Sequence, residues 1–205
     1  MFRFFALISA AVVAGAVSAH DHLETRLFII RSQLAQAGPD PIVFGGDSIT
    51  EAELLPADVC GHRVINAGIG GATAYQYAIA IRRLDFKAAA FVLAIGTNDA
   101  QPGSVAEFPD RYRFLSKALV ARSGVVLYAG IPTLEAGPIA EQFDPASSDE
   151  INRSSGDYAG RDFIDIRAAL SKTDRKTIDG VHLSPSAQAI WLDTILARLK
   201  SAIGC

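Results

Sequence analysis

The sequence predicts an α/β protein built on a parallel sheet, and three observations carry that prediction. Short apolar runs alternate along the chain with segments whose apolar residues recur every three or four positions, the order a helix-covered parallel sheet requires. Residues 88–95 (AAAFVLAI) are apolar without alternation, as a strand buried on both faces must be. Polar, glycine-rich stretches begin where predicted strands run out, after Phe44, Ile65 and Ile95. Open parallel sheets bind their ligands at that edge.

Leu23, Leu27, Ile30 and Leu34 recur at helical spacing, so an amphipathic helix precedes the sheet and Gly38-Pro39 ends it. Residues 41–44 (PIVF) read as the first strand and 63–66 (RVIN) as the second. Tyr77, Ile81 and Leu84 mark a helix after that. The third strand is 88–95, and Val105, Phe108, Tyr112, Leu115 and Leu119 predict one helix behind it. Residues 124–128 (GVVLY) and 162–166 (DFIDI) read as strands four and five. The polar connection between them, 132–160, holds a helix over about 147–158 by the same reasoning. Ser184 followed by Pro185 is an N-cap with proline at the first helical position. Leu192, Ile195, Leu196 and Leu199 continue that last helix.

The first nineteen residues read as an address. Arg3 precedes an apolar stretch over 4–17, and Val17-Ser18-Ala19 sets small residues before a cut, the pattern of a secretory signal peptide. The stretch is shorter than the roughly 18–20 apolar residues that cross a bilayer. No cysteine follows the cut, so no lipid anchor is expected there. The expectation is export, periplasmic or extracellular, of one domain over 20–205. A net charge of −3 without a Lys/Arg block argues against nucleic acid as a partner. Two cysteines, Cys60 and Cys205, are expected to pair in an oxidising compartment.

Four stretches carry candidate chemistry: GDSIT at 46–50, NAGIGGAT at 66–73, GTND at 96–99 and DGVHLS at 179–184. In a sheet of order 2-1-3-4-5 the first strand lies between the second and third. Ser48 then sits between the glycine loop and Asn98, with neighbouring strands about 4.8 Å apart. Acyl transfer needs donors already aimed at a developing oxyanion. The Ser48 and Gly71 backbone N–H groups and the Asn98 amide supply three, with Gly70 as the one-residue alternative. His182 has a carboxylate at i−3, Asp179, and reads as a base oriented by that acid towards a Ser48 nucleophile. Asp47, Gly70 and Asp99 flank these groups as supporting residues. His62 reads as a solvated loop residue. His20 and His22, around Asp21, read as a mobile terminus. GIGGAT fails as a dinucleotide loop because Thr73 takes the third glycine position. GDSIT is not a G-x-S-x-G elbow, since Thr50 stands last.

Together the four stretches resemble the SGNH (GDSL-type) hydrolase family, in family order over residues 46–184, with Ile49 in place of the name-giving leucine. Ser48, Gly71, Asn98, and Asp179 with His182 match the family's four blocks. The resemblance implies a flavodoxin-like three-layer α/β/α sandwich with a five-stranded parallel sheet. It also implies ester hydrolysis through an acyl-serine intermediate without metal or cofactor. The expected partner is a small-molecule or glycan ester, of short-acyl or O-acetyl-carbohydrate type. Two further readings stand beside this one: a non-catalytic carbohydrate-binding module, and an acyltransferase using the same residues. Ile131, Leu134, Ile139 and Phe143 either line an acyl pocket or, as favoured, pack beneath the long connection.

Overall fold

Six strands form one sheet: β1 (Ile42–Gly46), β2 (Asp58–Val59), β3 (His62–Gly68), β4 (Ala88–Ala94), β5 (Ser123–Ala129) and β6 (Phe163–Ile164). The computed structural model describes residues 22–205, so the expected signal peptide at 1–19 and His20 lie outside the described residues. The strand order is β2-β3-β1-β4-β5-β6. All neighbours are parallel except β2 and β3. The five strands read from the sequence are all present in the order 2-1-3-4-5, and the sixth is a correction. It arises from a two-residue hairpin turn at Cys60 and Gly61, with φ of 53° and 81°. Positive φ at both central residues is the mirror-image turn whose twist matches antiparallel strands. A two-residue strand is too short to reveal its period in the sequence.

Side chains alternate across the central strands and divide the interior into two cores. Val43, Phe91, Leu93 and Tyr128 face one side, where they meet α1 (His22–Gln36), α3 (Ala74–Ile81), α4 (Phe108–Val120) and α5 (Pro145–Ala159). Ile42, Phe44, Val92 and Leu127 face the other, where α6 (Ile166–Leu170) and α7 (Pro185–Ile203) bring Ile166, Trp191 and Ile195 against them. This is the three-layer sandwich. The short α2 (Ser48–Glu51) sits between β1 and β2 along the chain.

Two elements differ from the sequence reading. The helix expected from Val105 to Leu119 breaks into a 3-10 turn, Val105–Glu107, and then α4, because Pro109 occupies the opening turn of α4 and has no N–H to extend a helix from upstream. The fifth strand is only Phe163–Ile164, since the Asp165 side chain accepts from Ala168 N and caps α6 instead. The last helix starts as read: the Ser184 side chain accepts from Ala187 N and Pro185 follows it.

Cys60 and Cys205 form a disulfide with their Cα atoms 6.1 Å apart, 145 positions apart in sequence. Local geometry presents both sulfurs. Cys60 occupies the β2–β3 turn, while Gly204 (φ 79°) closes α7 so that Gly204 N and Cys205 N both donate to Lys200 O. Closing so long a loop removes unfolded-state entropy worth up to about 5 kcal/mol. The Cys60→Ser/Cys205→Ser variant is therefore expected to melt about 10–20 °C lower, at roughly 2–4 °C per kcal/mol for a chain of this size. Scanning calorimetry of the two proteins checks this. A shift within the error of the scan removes the bond from the account of stability.

Candidate active site

Steric constraints place Ser48 at the sheet edge. A Cβ on Gly46 would stand 2.1 Å from Ala94 O and 2.4 Å from Thr50 Oγ1, so only glycine lets β1 end pressed against β4 before the chain turns. Asp47 is the N-cap of α2 and its Oδ1 accepts from Ile49 N at 3.1 Å. Ser48 is the first residue of that helix, at the carboxyl end of β1.

The DGVHLS stretch folds into a closed loop. Thr177 bridges Leu183, Ile178 N donates to His182 O at 2.9 Å, and Gly180 takes φ of 100°. The loop carries His182 to Ser48, whose Oγ lies 2.9 Å from His182 Nε2. On the other side of the ring, His182 Nδ1 lies 2.7 Å from Asp179 Oδ2. Asp179 Oδ1 accepts from Val181 N at 3.0 Å and His182 N at 2.8 Å. Burial opposes charge on Asp179, but the His182 ring and these two backbone donors outweigh it and hold the carboxyl below its usual range. An ionised Asp179 only accepts, so Nδ1 carries the ring hydrogen and Nε2 is left to accept from the Ser48 hydroxyl.

Asn98 lies on a 3-10 turn, Thr97–Ala100, directly after β4, and its Nδ2 donates to Ala72 O at 3.1 Å, which pins the amide beside the glycine loop. Gly71 adopts φ of 74°, the left-handed region that favours glycine. The sequence put Gly71 first with Gly70 as the one-residue alternative, and the hydrogen bonds distinguish them. Gly70 N donates to Glu51 Oε2 at 2.5 Å. The N–H groups of Ser48 and Gly71 meet no acceptor among the described residues. The free donors are therefore Ser48 and Gly71.

Beneath this surface lie two buried carboxylates. Asp99 Oδ2 accepts from Ala74 N at 2.8 Å and so ties the Asn98 turn to the start of α3. Burial pushes the Asp47 and Asp99 carboxyls up to about 6. A carboxyl raised in the folded state binds its proton more tightly there than in the unfolded chain. Its contribution to stability is complete below the unfolded value, near 3.8, and is lost as pH rises to about 6. In Asp47→Asn this loss disappears. The stability of the variant relative to wild type is expected to improve by about 2 kcal/mol between pH 4 and pH 7.5. That is most of what the shift carries at 1.36 kcal/mol per pKa unit, since the unfolded carboxyl is already more than half ionised at pH 4. Urea unfolding at the two pH values measures it, and a difference independent of pH contradicts it.

Several residues around the site carried no signal in the sequence. Glu51 reaches the glycine loop as described. Glu135 Oε2 accepts from Lys176 N, Thr177 N and Thr177 Oγ1, and Ile139 N donates to Asp179 O, so the long connection braces the histidine loop. Of the four apolar residues beyond strand four, Ile131 is buried in the core and Phe143 packs against it, as favoured, while Leu134 and Ile139 are half-buried outside both cores. His22 and His62 correct the sequence reading. His22 Nε2 lies 3.1 Å from Glu51 Oε2 at the start of α1. His62 opens β3 with Nδ1 2.7 Å from Asp40 O. No helix among the described residues is long and apolar enough to cross a membrane.

The profile of the GDSL-like lipase/acylhydrolase family matches residues 44–190. No curated protein matches the chain. Among solved structures, a lipase/acylhydrolase from Enterococcus faecalis is 20% identical with a TM-score of 0.64, over 80% of this chain and 96% of that one. A member of the lipolytic protein G-D-S-L family from Veillonella parvula is 17% identical with a TM-score of 0.64, over 77% and 96% of the two chains. An acetylxylan esterase from Geobacillus stearothermophilus is 21% identical with a TM-score of 0.62, over 82% and 95%. At these identities the likeness is one of fold.

Proposed function

Because the chain belongs to the GDSL-like lipase/acylhydrolase family, we propose that it is an exported serine esterase acting on short-acyl or O-acetyl-carbohydrate esters. The observation that carries this reading is the continuous chain from Ser48 Oγ through the His182 ring to Asp179, at 2.9 and 2.7 Å. Ser48 attacks the ester carbonyl while His182 Nε2 takes its proton, and the imidazolium returns that proton to the departing alcohol. The resulting acyl-serine is hydrolysed by water activated in the same way. Negative charge on the carbonyl oxygen meets the N–H groups of Ser48 and Gly71 and the Asn98 amide. Each such donor is worth about 3–4 kcal/mol of barrier.

The small-acyl preference rests on the resemblance of the GDSIT block and the short chain to short-acyl esterases. The cavity of about 220 Å³ beside Gly71, walled by Leu23, Ile69, Ala72 and Ala80, is lined by none of Ser48, Asn98 or His182 and does not size the acyl group. The acetylxylan esterase among the similar folds points the same way. Export is supported by the Cys60–Cys205 disulfide, which an oxidising compartment preserves, and by the leader read at 1–19.

The test is an acyl-length series of nitrophenyl esters, run on wild type and on Ser48→Ala. Wild-type kcat/KM is expected to be highest at acetate or propionate and to fall steeply by octanoate. A series that rises with chain length contradicts the small-acyl assignment.

A further inference from the structure

Gly71 can aim its N–H at an oxyanion only if the loop before it is held still. The chain from Gly68 to Gly70 is fastened at each residue. Gly68 N donates to Asn66 Oδ1 at 3.0 Å, and Gly68 O accepts from Arg26 Nε at 2.9 Å. Ile69 N donates to Gly46 O at 2.9 Å, and Gly70 N to Glu51 Oε2 at 2.5 Å. The last of these bonds differs in origin from the rest. Glu51 ends α2, the short helix that Ser48 begins, so its carboxylate couples the serine's own helix to the residue preceding the free donor.

That carboxylate is held from the other side by α1. Arg26 Nε stands 3.5 Å from Glu51 Oε1 with the guanidinium mostly buried, and His22 Nε2 stands 3.1 Å from Oε2. Arg26 also donates to Asn66 O at 3.2 Å, at the end of β3. Asn66 Nδ2 in turn donates to Thr50 O at 2.8 Å. Both α1 residues lie outside the stretch matched by the family profile, which begins at residue 44.

We propose that Glu51 is a positioning residue for the oxyanion donor Gly71, acting through the Gly70 N–H, and that Arg26 and His22 of α1 hold its carboxylate in place. The proposal rests on the esterase reading above. Glu51 touches no reacting atom. Its loss frees Gly70 N to rotate, and Gly71 then no longer arrives where charge develops. Such a fault weakens the transition state far more than the ground state, so kcat carries the effect and KM does not.

The experiment measures kcat and KM for nitrophenyl acetate in wild type, Ser48→Ala, Glu51→Ala, Glu51→Asp, Glu51→Gln and Glu24→Ala. Glu51→Ala is expected to lose about a hundred-fold in kcat, the scale of a displacement near 1 Å, with KM little changed. Glu51→Asp keeps the charge and falls short of Gly70, so it falls with Glu51→Ala and carries the test alone if the alanine variant does not fold. Glu51→Gln still offers an oxygen to Gly70 N and is expected to stay within about fivefold of wild type on the same positional argument. Glu24→Ala removes another ion pair of α1, to Arg83, and leaves turnover unchanged. The proposal is overturned by Glu51→Asp turning over like wild type, by Glu51→Gln falling as far as Glu51→Asp, or by KM rising in step with the loss of kcat. The esterase reading fails separately, if wild type shows no turnover or Ser48→Ala keeps it.

Discussion

In Ser48→Ala, kcat for nitrophenyl acetate is expected to fall by about a million-fold, the scale seen when a nucleophile acting as part of a unit is removed. On the esterase reading, His182 and Asp179 have no function without an oxygen to deprotonate. The fold is expected to survive. Asp47 still caps α2 through Ile49 N, alanine is the best helix former, and the hydrogen bond lost is the one to His182 Nε2. Residual activity from the Gly71 and Asn98 donors acting on bound ester is expected at about 10³–10⁴ over water. A folded variant retaining a tenth of wild-type kcat excludes the acyl-serine route. A chain that binds carbohydrate without catalysis predicts unaltered ligand affinity and no wild-type turnover, so the same pair of proteins separates the two readings.

Asp179→Asn is expected to lower kcat by about 10⁴ with the loop intact. Asp179 serves two masters in this structure: Oδ1 takes the Val181 and His182 backbone N–H groups, while Oδ2 faces His182 Nδ1. Asparagine satisfies the backbone pair with its one oxygen and turns its NH₂ to the ring. Nδ1 must then accept, the hydrogen moves to Nε2, and the base is presented to Ser48 with a proton already on it. The prediction is checked by steady-state kinetics together with a thermal melt. Loss of activity with a melting temperature near that of wild type is expected. A variant within tenfold of wild type shows that the carboxylate does not set the tautomer.

Three of the four chemical stretches were legible because each places unusual residue types at a strand end, and the fourth because His182 has an acid three residues before it. The sheet order then brings strand ends together whatever the helices do. The helix start at Ser184 could also be read locally, since a cap acts over three residues. Glu51 and Arg26 could not. On paper they are charged residues at helical positions, indistinguishable from a solvated face, and their partner at Gly68–Gly70 lies across the fold. The sequence favoured Gly71 with Gly70 as the alternative, but which amide is free depends on where a carboxylate from another element lands. The sixth strand escaped because two residues carry no period.

By itself, then, the order of residues determined the alternation of strands and helices, the caps, the serine at the end of β1 and the histidine with an acid three residues before it. These follow from local sterics and from apolar periodicity, which act within a few positions. The tertiary structure alone decided that Ser48 Oγ and His182 Nε2 stand 2.9 Å apart across 134 residues, and that Gly71 rather than Gly70 keeps its N–H unspent. Distances of that kind are set by how two cores pack against the faces of one sheet, which no short stretch of sequence contains.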